Sequence, residues 1–269
     1  MSRGYKQFYG FTSSPFGKDI AAAALLRYAQ FDELADYLGY VAEEGAIGLL
    51  TGEVGVGKST AIRAFLAQLD DRLYHVCYVG NTEATRSVLR QLAGSFGMRA
   101  AHLQGDLKDD LHVRIANMWS EHHKRTLLVV DEAQAFGAKA LAELRLLTSF
   151  QCDSASPLAL VLAGQPMLRA QLKQLPNEAL DDRIMVRQHL AGLSQVETGE
   201  YIRAHLRAAG GAEDIFDEEA IGLVYHHAKG RPRRINKICI QAVLKGGHQN
   251  ARPIGAALVK NVVKQIEQE

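Results

Sequence analysis

Cysteine is scarce in this sequence, and the three present, Cys77, Cys152 and Cys239, stand far apart with no pair at metal-ligand spacing. Cys77 and Cys239 lie in apolar runs, which reads as reduced, buried thiols of a cytosolic protein. No stretch approaches the roughly 18 consecutive apolar residues needed to span a bilayer. The N-terminus also lacks the continuous apolar core of a signal peptide, so a cytoplasmic location away from membranes is expected. An excess of charge is missing too: 31 basic against 30 acidic side chains leave a formal net charge of +1. No global field draws such a chain to nucleic acid or membrane, and any attraction must come from a local patch. Internal repeats and low-complexity stretches are absent. What remains is ordinary for a soluble globular protein, 47% hydrophobic and 23% charged over 269 residues, long enough for one large or two modest domains.

The most informative stretch is Gly52-Glu53-Val54-Gly55-Val56-Gly57-Lys58-Ser59, set between the apolar run Ala46-Ile47-Gly48-Leu49-Leu50 and Thr60-Ala61-Ile62-Arg63-Ala64-Phe65-Leu66. It fits G-x-x-x-x-G-K-[ST] between a short buried strand and a helix, the context that distinguishes a phosphate loop from a chance match. Glycines let the backbone turn its N–H groups toward phosphate oxygens, and the helix adds the positive end of its dipole. Lys58 is expected on the β- and γ-phosphates and Ser59 on Mg²⁺. The residues 52–60 therefore predict a site for ATP with Mg²⁺.

Residues 1–30, which include Tyr9-Gly10-Phe11 and Pro15-Phe16, show no helical or strand period and read as a strap, either packed on a neighbouring surface or walling the adenine. From Phe31 to Glu44 an i, i+3, i+4, i+7 apolar stripe predicts a helix. Further strands are predicted at Tyr74–Val79, Thr126–Val130, Leu158–Ala163 and Ile184–Leu190, separated by helices at about Thr85–Phe96, Leu107–His123 and Ala138–Phe150. Continuously apolar strands alternating with helices make an α/β domain over residues 31–191, a parallel five-stranded sheet flanked by helices. After Leu193 four helices are read, near Gln195–Ala208, Asp217–Ala228, Arg233–Lys245 and Gly255–Glu267. Residues 192–269 thus form a small all-helical C-terminal lid.

In a parallel sheet, ligands sit at the carboxyl ends of the strands, where the polar residues of this chain fall. Asp131 and Glu132 end the third strand, placing one carboxylate on the Mg²⁺ shell and the other beside the γ-phosphate to orient and deprotonate water. Gln165 ends the fourth strand, either contacting γ-phosphate and water or serving as a turn residue before Pro166. Asn81 ends the second strand, either holding Glu132 back or simply shaping a turn. Arg183 lies at the edge of the sheet domain, suited to a neighbouring subunit's γ-phosphate or to a surface salt bridge. Arg233 follows Gly230-Arg231-Pro232 at a helix start fixed by proline, from which it can bridge to phosphate. From Ala228 through Lys264 there are nine Lys or Arg and no Asp or Glu, a solvated face or a match for a polyanion.

Taken together these residues resemble the AAA+ ATPases. Tyr9-Gly10-Phe11, Asp131-Glu132-Ala133-Gln134, Leu162-Ala163-Gly164-Gln165-Pro166 and Gly230-Arg231-Pro232-Arg233-Arg234-Ile235-Asn236 look more narrowly like the ExeA-type group, itself similar to the TniB, TnsC and MuB transposition helpers. The resemblance implies an AAA+ P-loop NTPase fold with Gly52–Ser59 as Walker A and Asp131 and Glu132 as Walker B. Gln165 would be sensor 1, Arg183 the arginine finger and Arg233 sensor 2. Secretion ExeA proteins carry a membrane span and a peptidoglycan-binding region after the ATPase, and this sequence reaches Glu269 with neither. That favours a transposition helper that oligomerises as a ring or filament on duplex DNA and hands it to a transposase. Arg86, Arg90, Lys108 and Arg114 are the expected phosphate-backbone contacts. The alternatives are a secretion or envelope-assembly ATPase, or a slowly hydrolysing nucleotide-switched scaffold.

Overall fold

The computed structural model describes residues 3–17, 29–80, 85–98, 104–150 and 155–268. In chain order the elements are α1 (Arg3–Tyr9), α2 (Ala29–Glu44), β1 (Ile47–Gly52), α3 (Lys58–Leu66), β2 (Tyr74–Val79), α4 (Thr85–Ser95), α5 (Gln104–His122), β3 (Arg125–Val130) and α6 (Ala138–Leu147). They continue as β4 (Leu158–Gly164), α7 (Met167–Leu172), α8 (Glu178–Asp181), β5 (Ile184–Leu190), α9 (Gln195–Ala208), α10 (Glu218–Ala228), α11 (Pro232–Gln249) and α12 (Ala256–Gln268). The described residues divide into two compact units. Residues 29–52 and 58–190 form a sheet unit; residues 3–17, 53–57 and 191–268 form a helical unit.

The sheet unit holds five parallel strands in the order β2-β3-β4-β1-β5. Every residue of β1 and β4 is buried, as their unbroken apolar sequences require when both faces are covered. The edge strands β2 and β5 instead show mixed burial. On one face Ile47, Leu49, Leu128, Val130, Leu160 and Leu162 join Val88, Leu111 and Leu144 of α4, α5 and α6 in one apolar core. On the other, α2 lies so close that a Cβ on Gly48 would sit 2.7 Å from Val41. Truncating a core leucine such as Leu160 to alanine is worth about 2–5 kcal/mol.

The helical unit is built from α9 to α12 together with the N-terminal residues. Ser194 caps α9 in a reciprocal box with Glu197, and Asp217 caps α10 by accepting from the Ala220 N–H at 2.7 Å. Pro232 opens α11 as its first residue. The sequence reading of residues 1–30 as aperiodic is corrected here, because Arg3–Tyr9 is helical. Seven residues cannot hold a helix alone. Tertiary contacts supply the stability: the Tyr9 hydroxyl donates to Ala251 O at 2.7 Å, and α1 lies over Gly246 and Gly247 of α11 where any Cβ would collide with Tyr9 or Tyr5. The described N-terminal residues lie within the helical unit, where the Thr12 N–H donates to Ala209 O at 2.8 Å. Among the described residues no helix is long and apolar enough to cross a membrane.

Phe16 stacks on His205 of α9 with ring centroids 5.2 Å apart, and Tyr201 tilts against the same imidazole. Burial without a charged neighbour pulls His205 down to about 4. A depressed folded-state value means that the unfolded chain takes up the proton first. The stability present at neutral pH is therefore lost as pH falls through the window from about 6.5 to about 4. By pH 5 this group should cost about 2 kcal/mol relative to pH 7.5. Urea titrations at the two pH values check it: His205→Leu should shrink the pH-dependent loss by about that amount, and an unchanged loss would remove His205 as its source.

Candidate active site

Parallel strands deliver their carboxyl ends to one edge, and the register Thr51↔Gly164 and Val130↔Leu162 brings Gly52, Gln165 and Asp131 to that edge from adjacent strands. The loop 53–57 turns with Gly55 at φ 83° and Gly57 at φ 107°, conformations that favour glycine. Gly55 is constrained twice, since an added Cβ would also lie 2.9 Å from the Arg233 Cβ. The Arg233 backbone N–H donates to Gly55 O at 3.2 Å, so the loop tip and the start of α11 meet within the helical unit.

Lys58 and Ser59 begin α3, with Thr60 behind them. The Lys58 side chain is buried and folds back so that Nζ donates to Gly52 O at 2.8 Å. An ammonium held mostly out of water is matched to an anion. The Ser59 hydroxyl donates to Asp131 Oδ2 at 2.6 Å, and the Tyr78 hydroxyl donates to the same oxygen at 2.5 Å. Asp131 Oδ1 accepts the Glu132 N–H at 2.8 Å, so a carboxylate only 4% exposed collects three donors.

Glu132 itself stands in the left-handed region, φ 55° and ψ 36°, opening a 3₁₀ turn over Ala133–Ala135. That turn brings Gln134 beneath it. Gln134 Nε2 donates to Glu132 Oε2 at 2.6 Å, and Gln165 Nε2 reaches the same oxygen at 3.5 Å. Gln134 Oε1 meanwhile accepts the Gln165 backbone N–H at 3.0 Å.

The residue types fit magnesium and triphosphate. A hydroxyl and a carboxylate side by side are hard oxygen donors of the kind Mg²⁺ takes, with substrate phosphate completing the shell. Among the described residues no group of three or more His, Cys, Asp or Glu could hold a metal unaided.

Not every sequence expectation lands at this edge. Arg183 lies just before β5, whose Ile184 pairs with Ile47, so it occupies the opposite end of the sheet from Gly52 and its Nη1 donates to Ser149 Oγ at 2.7 Å. Val54 is exposed at the loop tip while Val56 is buried. Asn81 falls outside the described residues, as do Cys152 and the side chain of Arg86. Arg90 is exposed on α4, and Lys108 and Arg114 lie on α5, where the Arg114 guanidinium sits 5.9 Å from the Phe96 ring centroid. Two site residues had no expected role, Tyr78 and Gln134. Partial burial first, and then the Asp131 carboxylate, pushes the Tyr78 phenol up to about 12, so it remains a donor throughout the physiological range.

Comparison with known proteins agrees with this architecture. Residues 42–172 match the family profile described as an AAA domain. General secretion pathway protein A of Aeromonas hydrophila is 34% identical over 256 residues, covering 91% of this chain and 46% of that protein; the chain thus spans about half the length of the curated relative it matches. Among solved structures, Cdc6p from Pyrobaculum aerophilum aligns with a TM-score of 0.68 at 15% identity, covering 88% of this chain and 66% of that one. Drosophila ORC bound to DNA aligns with a TM-score of 0.70 at 18% identity, covering 98% and 65% respectively. At these identities the structural likeness speaks to fold alone.

The three donors on Asp131 set a prediction that needs no nucleotide. Asp131→Ala takes the acceptor from Ser59, Tyr78 and the Glu132 N–H; Ser59 and Tyr78 are exposed and can turn to water, so unfolding free energy should fall by about 1 kcal/mol. Asp131→Asn keeps one acceptor and should lose less than half as much. Chemical denaturation of the apo protein measures both, and equal stability of the alanine variant and wild type would show the cluster to be energetically idle.

Proposed function

We propose that this chain, which matches an AAA domain over residues 42–172, is an ATPase that binds ATP with Mg²⁺ at the edge formed by Gly52, Asp131 and Gln165 and hydrolyses it as the energy-supplying module of a general secretion or envelope-assembly machine in the cytoplasm. The observation that carries the chemistry is the Ser59–Asp131 pair, set at the strand ends with Lys58 folded onto Gly52. The secretion role is supported by 34% identity to General secretion pathway protein A across 91% of this chain.

Each residue then has a task. The N–H groups of 53–59 and the Lys58 ammonium bind the phosphates. Ser59 and Asp131 hold Mg²⁺, which when bound neutralises charge developing on the phosphate oxygens. Glu132 orients the attacking water and takes its proton, and Gln165 lies on the same carboxylate to align it. Arg183, at the far end of its own sheet, acts on the nucleotide of a neighbouring subunit in a homo-oligomer. Arg233 works from the helix start whose N–H already touches Gly55.

The transposition-helper reading on duplex DNA has less behind it. The relative whose sequence is close enough to inform function is a secretion protein. Lys108 is followed by exposed Asp109 and Asp110, and several cations of the basic run at 228–264 have local partners: Arg234 lies 3.6 Å from Glu267, Arg252 lies 3.4 Å from Asp214, and Lys245 bonds Gln265. A phosphate backbone would have to displace those partners.

Lys58→Ala should lose Mg·ATP retention, whereas Glu132→Gln should keep the nucleotide and slow turnover by about 100-fold or more. Arg183→Ala should be equally slow alone yet regain turnover when mixed with Glu132→Gln, each supplying what the other lacks across the subunit boundary. Equilibrium binding and phosphate release measure these effects; undiminished nucleotide retention by Lys58→Ala would end the ATP reading. Duplex DNA is not expected to be retained with ATP at physiological salt, and ATP-dependent, salt-sensitive retention would restore the transposition reading.

A further inference from the structure

The amide of Gln134 faces two ways, and its orientation is settled by its partners. Oε1 must point at the Gln165 backbone N–H, a donor, which leaves Nε2 on the Glu132 carboxylate, an acceptor. Its path is open because Gly164 has no side chain: a Cβ there would lie 2.6 Å from Gln134 Oε1 and 2.8 Å from Leu168 Cδ2. The amide therefore spans the ends of β3 and β4, one hydrogen bond on each.

We propose that Gln134 is the positioning residue for Glu132, holding the carboxylate by its Nε2 so that the water proton passes to the other oxygen. The inference rests on the reading of Glu132 as the base. Gln134 and Gln165 both converge on Oε2. The proton leaving water then bonds to Oε1 while the water oxygen bonds to the γ-phosphorus, the bridging P–O bond breaks, and ADP leaves with its electron pair. A side chain held only by rotamer preference would sample other directions in the left-handed turn; the clamp removes that freedom. Both polar atoms of the Gln134 amide are taken by protein groups, so its effect is expected on turnover rather than on binding.

Gln134→Glu is the discriminating variant. It keeps the length and the acceptor for the Gln165 N–H but replaces the donor with a carboxylate oxygen that repels Glu132. At pH 8 kcat should fall by about 10–100-fold while KM and nucleotide affinity stay within about threefold. As pH falls toward 5.5 the new carboxyl, raised by its like-charged neighbour, takes a proton and donates again, so the deficit relative to wild type should narrow. A residue that merely tied β3 to β4 would show no such recovery. Gln134→Met, lacking both donor and acceptor, should lose turnover at every pH. Wild-type kcat for Gln134→Glu at pH 8, or a deficit that does not change with pH, overturns the inference. Glu132→Gln separates it from the reading beneath it. If that variant is slow and Gln134→Glu is not, only the role of Gln134 falls; if Glu132→Gln turns over normally, both fall.

Discussion

The candidate site depends on one constraint, that β3, β4 and β1 lie side by side and run parallel. Buried strands of apolar residues expose polar groups only where they end, and parallel strands end together. The hydrogen bond from Ser59 to Asp131 is 2.6 Å long, although the two residues are separated by 72 positions and reached through different strands. A slip of one residue moves a strand end by about 3.3 Å and turns each side chain to the other face. The paired registers Thr51↔Gly164 and Val130↔Leu162 are thus as much a part of the site as the side chains they carry.

Much of this was legible because the signals are local. β2 and β5 fall at Tyr74–Val79 and Ile184–Leu190 and α9 at Gln195–Ala208, where the sequence reading set them. The loop at 52–59 announces itself by residue spacing and by the strand and helix on either side. What escaped reading was non-local. The helix Arg3–Tyr9 has no persuasive period, because its stability comes from the two glycines of α11 beneath it. Tyr78 looks like one more aromatic in an edge strand until β2 is paired with β3, which sets its hydroxyl against Asp131. Gln134 stands within a quoted motif, yet its reach to Glu132 depends on a left-handed turn that a glutamate does not advertise.

The same distinction separates the reaction from its use. Phosphate binding needs a loop, a lysine and a carboxylate, and these recur wherever the fold does, which is why likeness to Cdc6p at 15% identity carries no information about a partner. Partner choice lives on outer surfaces. There, among the described residues, Arg234, Arg252 and Lys245 are engaged with Glu267, Asp214 and Gln265. Such exposed pairs add little stability, but they reduce the field that a polyanion would meet.

The two carboxylates at the end of β3 are held in different ways, and the difference bears on which of them governs turnover. Asp131 is almost fully buried and accepts from a hydroxyl, a phenol and a backbone N–H, so moving it would break three hydrogen bonds at once. It is a fixed point. Glu132 occupies a backbone conformation that costs a residue with a side chain roughly 1–2 kcal/mol, and its carboxylate is steadied by side-chain amides. That cost approaches the net worth of one hydrogen bond, so a modest change at Gln134 or Gln165 is enough to shift where the base points. Under the proposed function, control over the rate belongs with the amides around Glu132, while Asp131 and Ser59 would hold the metal and nucleotide.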